Sequence, residues 1–357
     1  MATAPTPTLI RTLGASLSQS SCSRLHPHLL PLRYPTKRHR RSSSSCCRTS
    51  LFCAPNGPLG EQLTPETESD VCLCVGTHLI PHPNKIDKGG EDAYLVSTFN
   101  GGVLAVADGV SGWAEQKVDP SLFSRELMTN ASSLLEQRGL EETCIAGWLR
   151  LGNQPVAAYL HIFACTSQFS YDPQMLLKEA HAATSSVGSA TVIIAMLERG
   201  RILKIANVGD CGLRVIRQGK VVFSTSPQEH YFDCPHQLSS EVVGQTYLDA
   251  VMSTVEVMEQ DTIVMGSDGL FDNVFDHEIV SAVTRYSDVS ETAKALCDLA
   301  NTHSMDPSFD SPYSVEARAK GFDIPLWKKI LGMKLTGGKL DDITVIVGRV
   351  VRTQSAA

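Results

Sequence analysis

The chain has 357 residues, enough for one large domain or two modest ones with a substantial core. Its apolar share of 42% and charged share of 19% are those of a globular protein, and no run of eighteen apolar residues offers a membrane span. Residues 1–60 hold eight Lys or Arg and no acid, so 23 of the 31 bases face all 38 acids in residues 61–357, a net of −15 that excludes nucleic acid as the main partner.

The first 60 residues are rich in Ser, Arg and Pro and include Arg38-His39-Arg40-Arg41 followed by four serines. They lack the apolar stretch of a secretory signal, and an acid-free, Ser- and Arg-rich leader has the composition of an organelle transit peptide. Its serines and weak helical amphipathicity favour a plastid over a mitochondrion. We expect a disordered plastid transit peptide over 1–55, a linker over 56–70 and one domain over 71–354. The seven body cysteines are odd in number and form no CxxC pair, so we expect reduced thiols.

Strand patterns bounded by Gly, Asn or Asp run over Val71–Gly76, Asp92–Ser97, Val103–Ala107, Ala190–Leu197, Ile202–Ala206, Leu213–Arg217, Thr262–Met265 and Ile343–Val347. Gln218-Gly219-Lys220 reads as a hairpin turn into Val221–Phe223. Helical patterns cover Pro120–Glu136, Pro173–Thr184, Asp276–Thr284 and Ser290–Asn301, with Asp276 and Ser290 as N-caps. Strands cluster and helices come in blocks, which predicts an antiparallel α+β fold. Residues 143–169 carry one formal charge, Arg150, and read as an atypical insertion.

Four acid sets stand at strand ends. Asp108-Gly109 and Asp268-Gly269 follow strands, whereas Glu91-Asp92 and Asp341-Asp342 begin them. In an antiparallel sheet the end of one strand lies beside the start of its neighbour, so all four can share one edge. Clustered carboxylates repel, and divalent metal is the simplest remedy. Hard oxygen donors select Mg²⁺ or Mn²⁺, and Gly109 removes the Cβ that would keep its carbonyl from an ion. An Asp-Gly after a strand is also an ordinary turn, and the acids alone do not name a reaction.

The ordered strings Gly-Gly-Glu-Asp-Ala (89–93), Val-Ala-Asp-Gly-Val-Ser-Gly-Trp (106–113), Gly-Ser-Ala-Thr (188–191), Ala-Asn-Val-Gly-Asp-Cys (206–211), Gly-Ser-Asp-Gly-Leu-Phe-Asp (266–272) and Lys-Leu-Asp-Asp-Ile-Thr-Val (339–345) resemble the PP2C-type metal-dependent protein phosphatases over about residues 71–351. His78–Lys85 and Pro227–Pro235 place it nearest the plant chloroplast branch of that family. The resemblance implies a β-sandwich of two antiparallel sheets flanked by helix pairs. It implies two Mg²⁺ or Mn²⁺ ions, with Asp108 bridging both, the Gly109 carbonyl on one, and Asp268 and Asp341 on the other. Glu91 and Asp92 would hold metal-bound water, and Asp210 would serve a weaker third ion or be a plain turn residue. The implied reaction is attack of a metal-bridging hydroxide on phosphoserine or phosphothreonine. The implied partners are phosphorylated photosystem II proteins at the chloroplast thylakoid surface, met by a monomer with no transmembrane segment.

Three positions depart from the family pattern. Val110 replaces a His proposed as general acid, and Asp87 replaces an Arg that grips phosphate, leaving Lys85 or Lys88 as point-charge substitutes. Asp342 stands where Asn is common. His78, His82 and His230 are candidate acids in name alone. Two other readings stay open: a pseudophosphatase that binds phosphoproteins without turnover, and a phosphatase of small phosphorylated metabolites.

Overall fold

The computed structural model describes residues 71–151, 171–198, 201–241, 244–325 and 333–353, with the backbone alone for 141–151. The expected leader and linker lie outside these residues, as does 152–169 of the expected insertion. The strands are β1 Val71–Ile80, β2 Ala93–Ser97, β3 Val103–Gly109, β4 Ser189–Glu198, β5 Ile202–Val208, β6 Gly212–Arg217, β7 Lys220–Ser224, β8 Glu229–Tyr231, β9 Cys234–Pro235, β10 Leu238–Ser239, β11 Val251–Glu256, β12 Thr262–Gly266 and β13 Ile343–Arg352. The helices are α1 Ser121–Leu151, α2 Pro173–Ala183, the single turn α3 Asp268–Phe271, α4 Asp276–Arg285, α5 Val289–Met305 and α6 Pro312–Ala319.

Two antiparallel sheets carry the domain. One has the order β1-β13-β12-β6-β7; the other has β11-β5-β4-β3-β2, with β10 added beside β4. β4 is buried on both faces, and its period of two divides its side chains between two cores. Ile193, Ala195 and Leu197 meet Leu104, Leu213, Ile263 and Ile346 between the sheets. Val192, Ile194 and Met196 face the other way, onto Phe123 and Leu127 of α1 and Leu176 and Leu177 of α2. Across the sandwich, Val264, Val345 and Val347 cover Ile279 of α4 and Leu296 and Ala300 of α5. The result is four layers, helix–sheet–sheet–helix, each face buried by its neighbour.

The expected hairpin is present, with Gln218 and Gly219 both at positive φ (49° and 73°) between β6 and β7, as a two-residue primed turn requires. α1 runs on to Leu151, beyond the expected end at Glu136, and takes in residues 143–151 of the expected insertion. Two N-cap expectations are corrected. Ser290 is not an N-cap; Asp288 is, its carboxylate accepting from the Ser290 and Glu291 N–H groups. Asp276 is the first residue of α4, behind Phe275 as cap residue, and the Glu278 carboxylate accepts from Phe275 N–H. β11 and α6 were not foreseen.

Candidate active site

The acid sets do gather, by a route different from the expected single sheet edge. Asp92 and Asp108 flank the Ala93–Ala107 pair that joins β2 to β3 in one sheet. Asp268 follows β12, and Asp341-Asp342 precede β13, which pairs with β12 in the other sheet. The two sheets present these ends to each other across the sandwich. Thr344 Oγ1 donates to Asp92 Oδ2 at 2.6 Å, and Glu91 N–H donates to Asp342 Oδ2 at 2.9 Å, so both bonds stitch the sheets together at the site. Asp210 sits in the turn where the chain crosses from β5 to β6, that is, from one sheet to the other.

Glycines make the approach possible. A Cβ on Gly109 would lie 2.7 Å from the Pro120 carbonyl oxygen and 2.8 Å from that of Glu91; one on Gly269 would lie 2.1 Å from that of Asp342. Gly109 therefore admits neighbouring backbone, a role beyond the exposure of its own carbonyl. Ser267 fixes the start of α3, its hydroxyl donating to the Asp342 carbonyl at 3.2 Å and accepting from Thr344 N–H at 3.1 Å.

Electrostatics follow from the crowding. Burial raises the Asp341 carboxyl to about 8, with the charge of Asp268 adding to the shift and Lys339 and Lys85 opposing it. Burial, and then the charge of Asp342, raises Asp92 to about 7. Burial also raises Asp272 to about 7, against the pull of Lys339. Asp108 and Asp210 are pushed well above the usual carboxylate range, by burial first and by neighbouring acids second. These groups cannot all be anionic together without added positive charge.

Two ammonium groups supply part of that charge. Lys85 Nζ lies 2.7 Å from Glu91 Oε2, 3.1 Å from Asp342 Oδ2 and 3.8 Å from Asp341 Oδ1. Lys339 Nζ lies 2.6 Å from Asp268 Oδ2 and 3.0 Å from Asp272 Oδ2. Among the described residues no three acid, His or Cys side chains already form a ligand cage. Yet Asp92 Oδ1, Asp210 Oδ1 and Asp268 Oδ1 are buried with no hydrogen-bond partner. Orphaned anionic oxygens of that kind are costly unless a cation meets them, and the all-oxygen donor set fits Mg²⁺ or Mn²⁺.

Of the two lysines expected as phosphate substitutes, the structure brings only Lys85 to the acids. Lys88 is exposed and pairs with Asp119 at 3.5 Å. Asp342 spends its carboxylate on His82 N–H, Glu91 N–H and Lys85, so its extra charge cross-links the site. His82 Nδ1 accepts from Asn84 N–H, and His230 pairs with Gln245. Sequence reasoning missed Lys339 and Arg125; the Arg125 guanidinium donates to the carbonyls of Lys88 and Gly90 and so holds the loop entering Glu91. Arg125 gives no local signal, and Lys339, though it opens the quoted string 339–345, acts on residues distant in the chain. Asp272 stood within a quoted string and could have been found as a further acid of the cluster.

No family model matches the chain. Probable protein phosphatase 2C 26 of Arabidopsis thaliana is 55% identical over 325 residues, covering 91% of this chain and 96% of its own. Probable protein phosphatase 2C 1 of Oryza sativa subsp. japonica is 59% identical over 281 residues, covering 79% and 76%. The X-ray structure of the photosystem II phosphatase PBCP is similar at a TM-score of 0.67 and 58% identity, covering 78% of this chain and 98% of that one. Two antiparallel sheets flanked by helices, acid motifs joined at their facing ends and near-full-length likeness to named phosphatases lead to one assignment: the chain belongs to the PP2C family of serine/threonine protein phosphatases.

Proposed function

We propose that the joined strand ends form a divalent-metal site that hydrolyses phosphoserine and phosphothreonine in photosystem II proteins at the chloroplast thylakoid surface. The observation that carries the metal reading is the set of buried, unpartnered oxygens of Asp92, Asp210 and Asp268 where the two sheets meet. The substrate reading rests on the 58% identity with a photosystem II phosphatase, and the plastid reading on the leader composition.

Asp108, Asp268 and Asp341, with the Gly109 carbonyl, would hold two Mg²⁺ or Mn²⁺ ions, and Asp210 a weaker third. When bound, the ions supply Lewis acidity and charge for phosphoryl transfer. The chain's own groups orient the rest. Glu91 is pinned by Lys85 Nζ at 2.7 Å and by Ser111 Oγ at 2.5 Å, and Asp92 by Thr344, so both can hold water in fixed positions. Lys85 also offers a positive charge to phosphate, without the bidentate fork of an Arg. Val110 has no proton to give, so the leaving alkoxide takes one from elsewhere.

The test is release of phosphate from a phosphothreonine peptide with Mn²⁺ by wild type, Asp108→Ala and Asp268→Ala. We expect turnover by wild type and a loss of at least about a hundredfold in each variant, the scale on which removing a transition-state electrostatic partner acts. Equal release by all three overturns the reading. Binding of the peptide without release by wild type establishes a pseudophosphatase, and activity on small phosphorylated metabolites alone establishes a metabolite phosphatase.

A further inference from the structure

The Lys339 ammonium, two residues before Asp341, is held in place from several sides. Its backbone is clamped on both sides by Asn273: Lys339 N–H donates to Asn273 Oδ1 at 2.9 Å, and Asn273 Nδ2 donates to the Lys339 carbonyl at 2.8 Å. Gly338 before it lies so close to α5 that a Cβ would sit 2.2 Å from the His303 carbonyl oxygen. The side chain is therefore aimed by a fixed backbone. Its Nζ meets three carboxylates from two segments: Asp268 Oδ2 at 2.6 Å and Asp272 Oδ2 at 3.0 Å from the two ends of α3, and Asp233 Oδ1 at 3.0 Å from the β8–β9 turn. Asp268 is thus divided between two demands. One oxygen is held by the ammonium, and the other, Oδ1, is buried without a partner.

We propose that Lys339 is a tethered cation that competes with a divalent ion at the corner where Asp268 faces Asp272 and Asp210, and that this competition sets how weakly that corner holds an ion beside the two-ion site of Asp108, Gly109, Asp268 and Asp341. This rests on the metal reading above. A divalent ion that seeks Asp268 and Asp272 must share oxygens with, or displace, a unit charge already at contact distance. That repulsion exceeds what one hydrogen bond contributes to positioning the carboxylates. The ammonium has a fixed stem and cannot diffuse away, so it competes at any metal concentration. It also neutralises only one of the three negative charges it touches, which leaves the corner attractive to an ion once Lys339 moves or is removed. Lys339 acts through the carboxylates and is a positioning residue.

The experiment is calorimetric titration of the full chain with Mn²⁺, comparing wild type, Lys339→Met and Lys339→Arg, with melting curves in chelator and in saturating Mn²⁺. Lys339→Met keeps the apolar stem and removes the charge. It is expected to bind one more Mn²⁺ per chain, or its weakest ion about tenfold more tightly, and to gain more in melting temperature on adding Mn²⁺ than wild type does. Lys339→Arg is expected to restore the wild-type isotherm, which a purely packing role for the stem would not produce. If Lys339→Met fails to fold, Lys339→Gln, neutral but able to donate to Asp268, carries the same expectation. An isotherm unchanged or weakened in the neutral variant overturns this proposal and leaves the metal reading standing. Absence of Mn²⁺ binding by wild type and variants alike overturns both.

Discussion

At the residue scale, the site depends on backbones that approach where no side chain fits. Gly269 is the tightest case, since a Cβ there would stand 2.1 Å from the Asp342 carbonyl oxygen. Gly269→Ala must push apart the first turn of α3 and the start of β13, a shift that costs about 1–3 kcal/mol by the usual scale for overpacking. We predict a lower urea midpoint with an unchanged slope, together with weaker Mn²⁺ binding; an unaltered midpoint would show that the two backbones can part freely. The acids themselves were legible because each occupies a strand end with a short local pattern. Lys339 was not, because its partners Asp233, Asp268 and Asp272 lie 67 to 106 positions away along the chain. Asp342 was visible as a departure from the family, but its role as acceptor for His82 and Glu91 N–H groups required the fold.

At the element scale, α1 is tied to the turn that leads into β4. Glu126 Oε1 accepts from Ser185 N–H at 3.0 Å and Ser185 Oγ at 2.9 Å, and Oε2 from Ser186 N–H at 2.8 Å and from the Ser186 hydroxyl. The Ser186 hydroxyl is the largest cause that pulls the Glu126 carboxyl down to about 2, against opposing burial and with help from the Ser185 N–H. The folded pKa lies below the ordinary value, so the stabilisation is complete above about pH 4.5 and is lost as pH falls towards 2. Glu126→Gln should therefore be less stable than wild type at pH 7, with the gap closing between pH 4.5 and 2 in thermal melts. A gap independent of pH would contradict this account. The elements missed by sequence reasoning have physical explanations. β11 is a sheet edge with four of its six residues exposed, so it shows no clean alternation of apolar and polar positions. α6 carried a readable signal in Ser311-Pro312, with the Ser311 hydroxyl accepting from Ser314 N–H at 3.1 Å, but it is a short helix whose apolar stripe is weak.

At the scale of the whole molecule, the two halves of the site belong to different sheets, so the sandwich itself is the device that assembles them. Local strand grammar predicts the strands and their ends, but which sheet each joins is decided by long-range pairing, and an antiparallel neighbour rule alone gave a single edge. The core between the sheets should matter to stability more than to metal affinity. Leu104, fully buried between them, is expected to cost about 2–5 kcal/mol when replaced by Ala. Urea unfolding would read that loss, and a change below about 1 kcal/mol would mean that the sheets repack. The most direct measurement of the central claim is anomalous diffraction at the manganese edge from crystals grown with Mn²⁺. We predict two strong peaks among Asp108, Gly109, Asp268 and Asp341, where the two sheets meet. Manganese-replete crystals with no anomalous peak within reach of those carboxylates would contradict it.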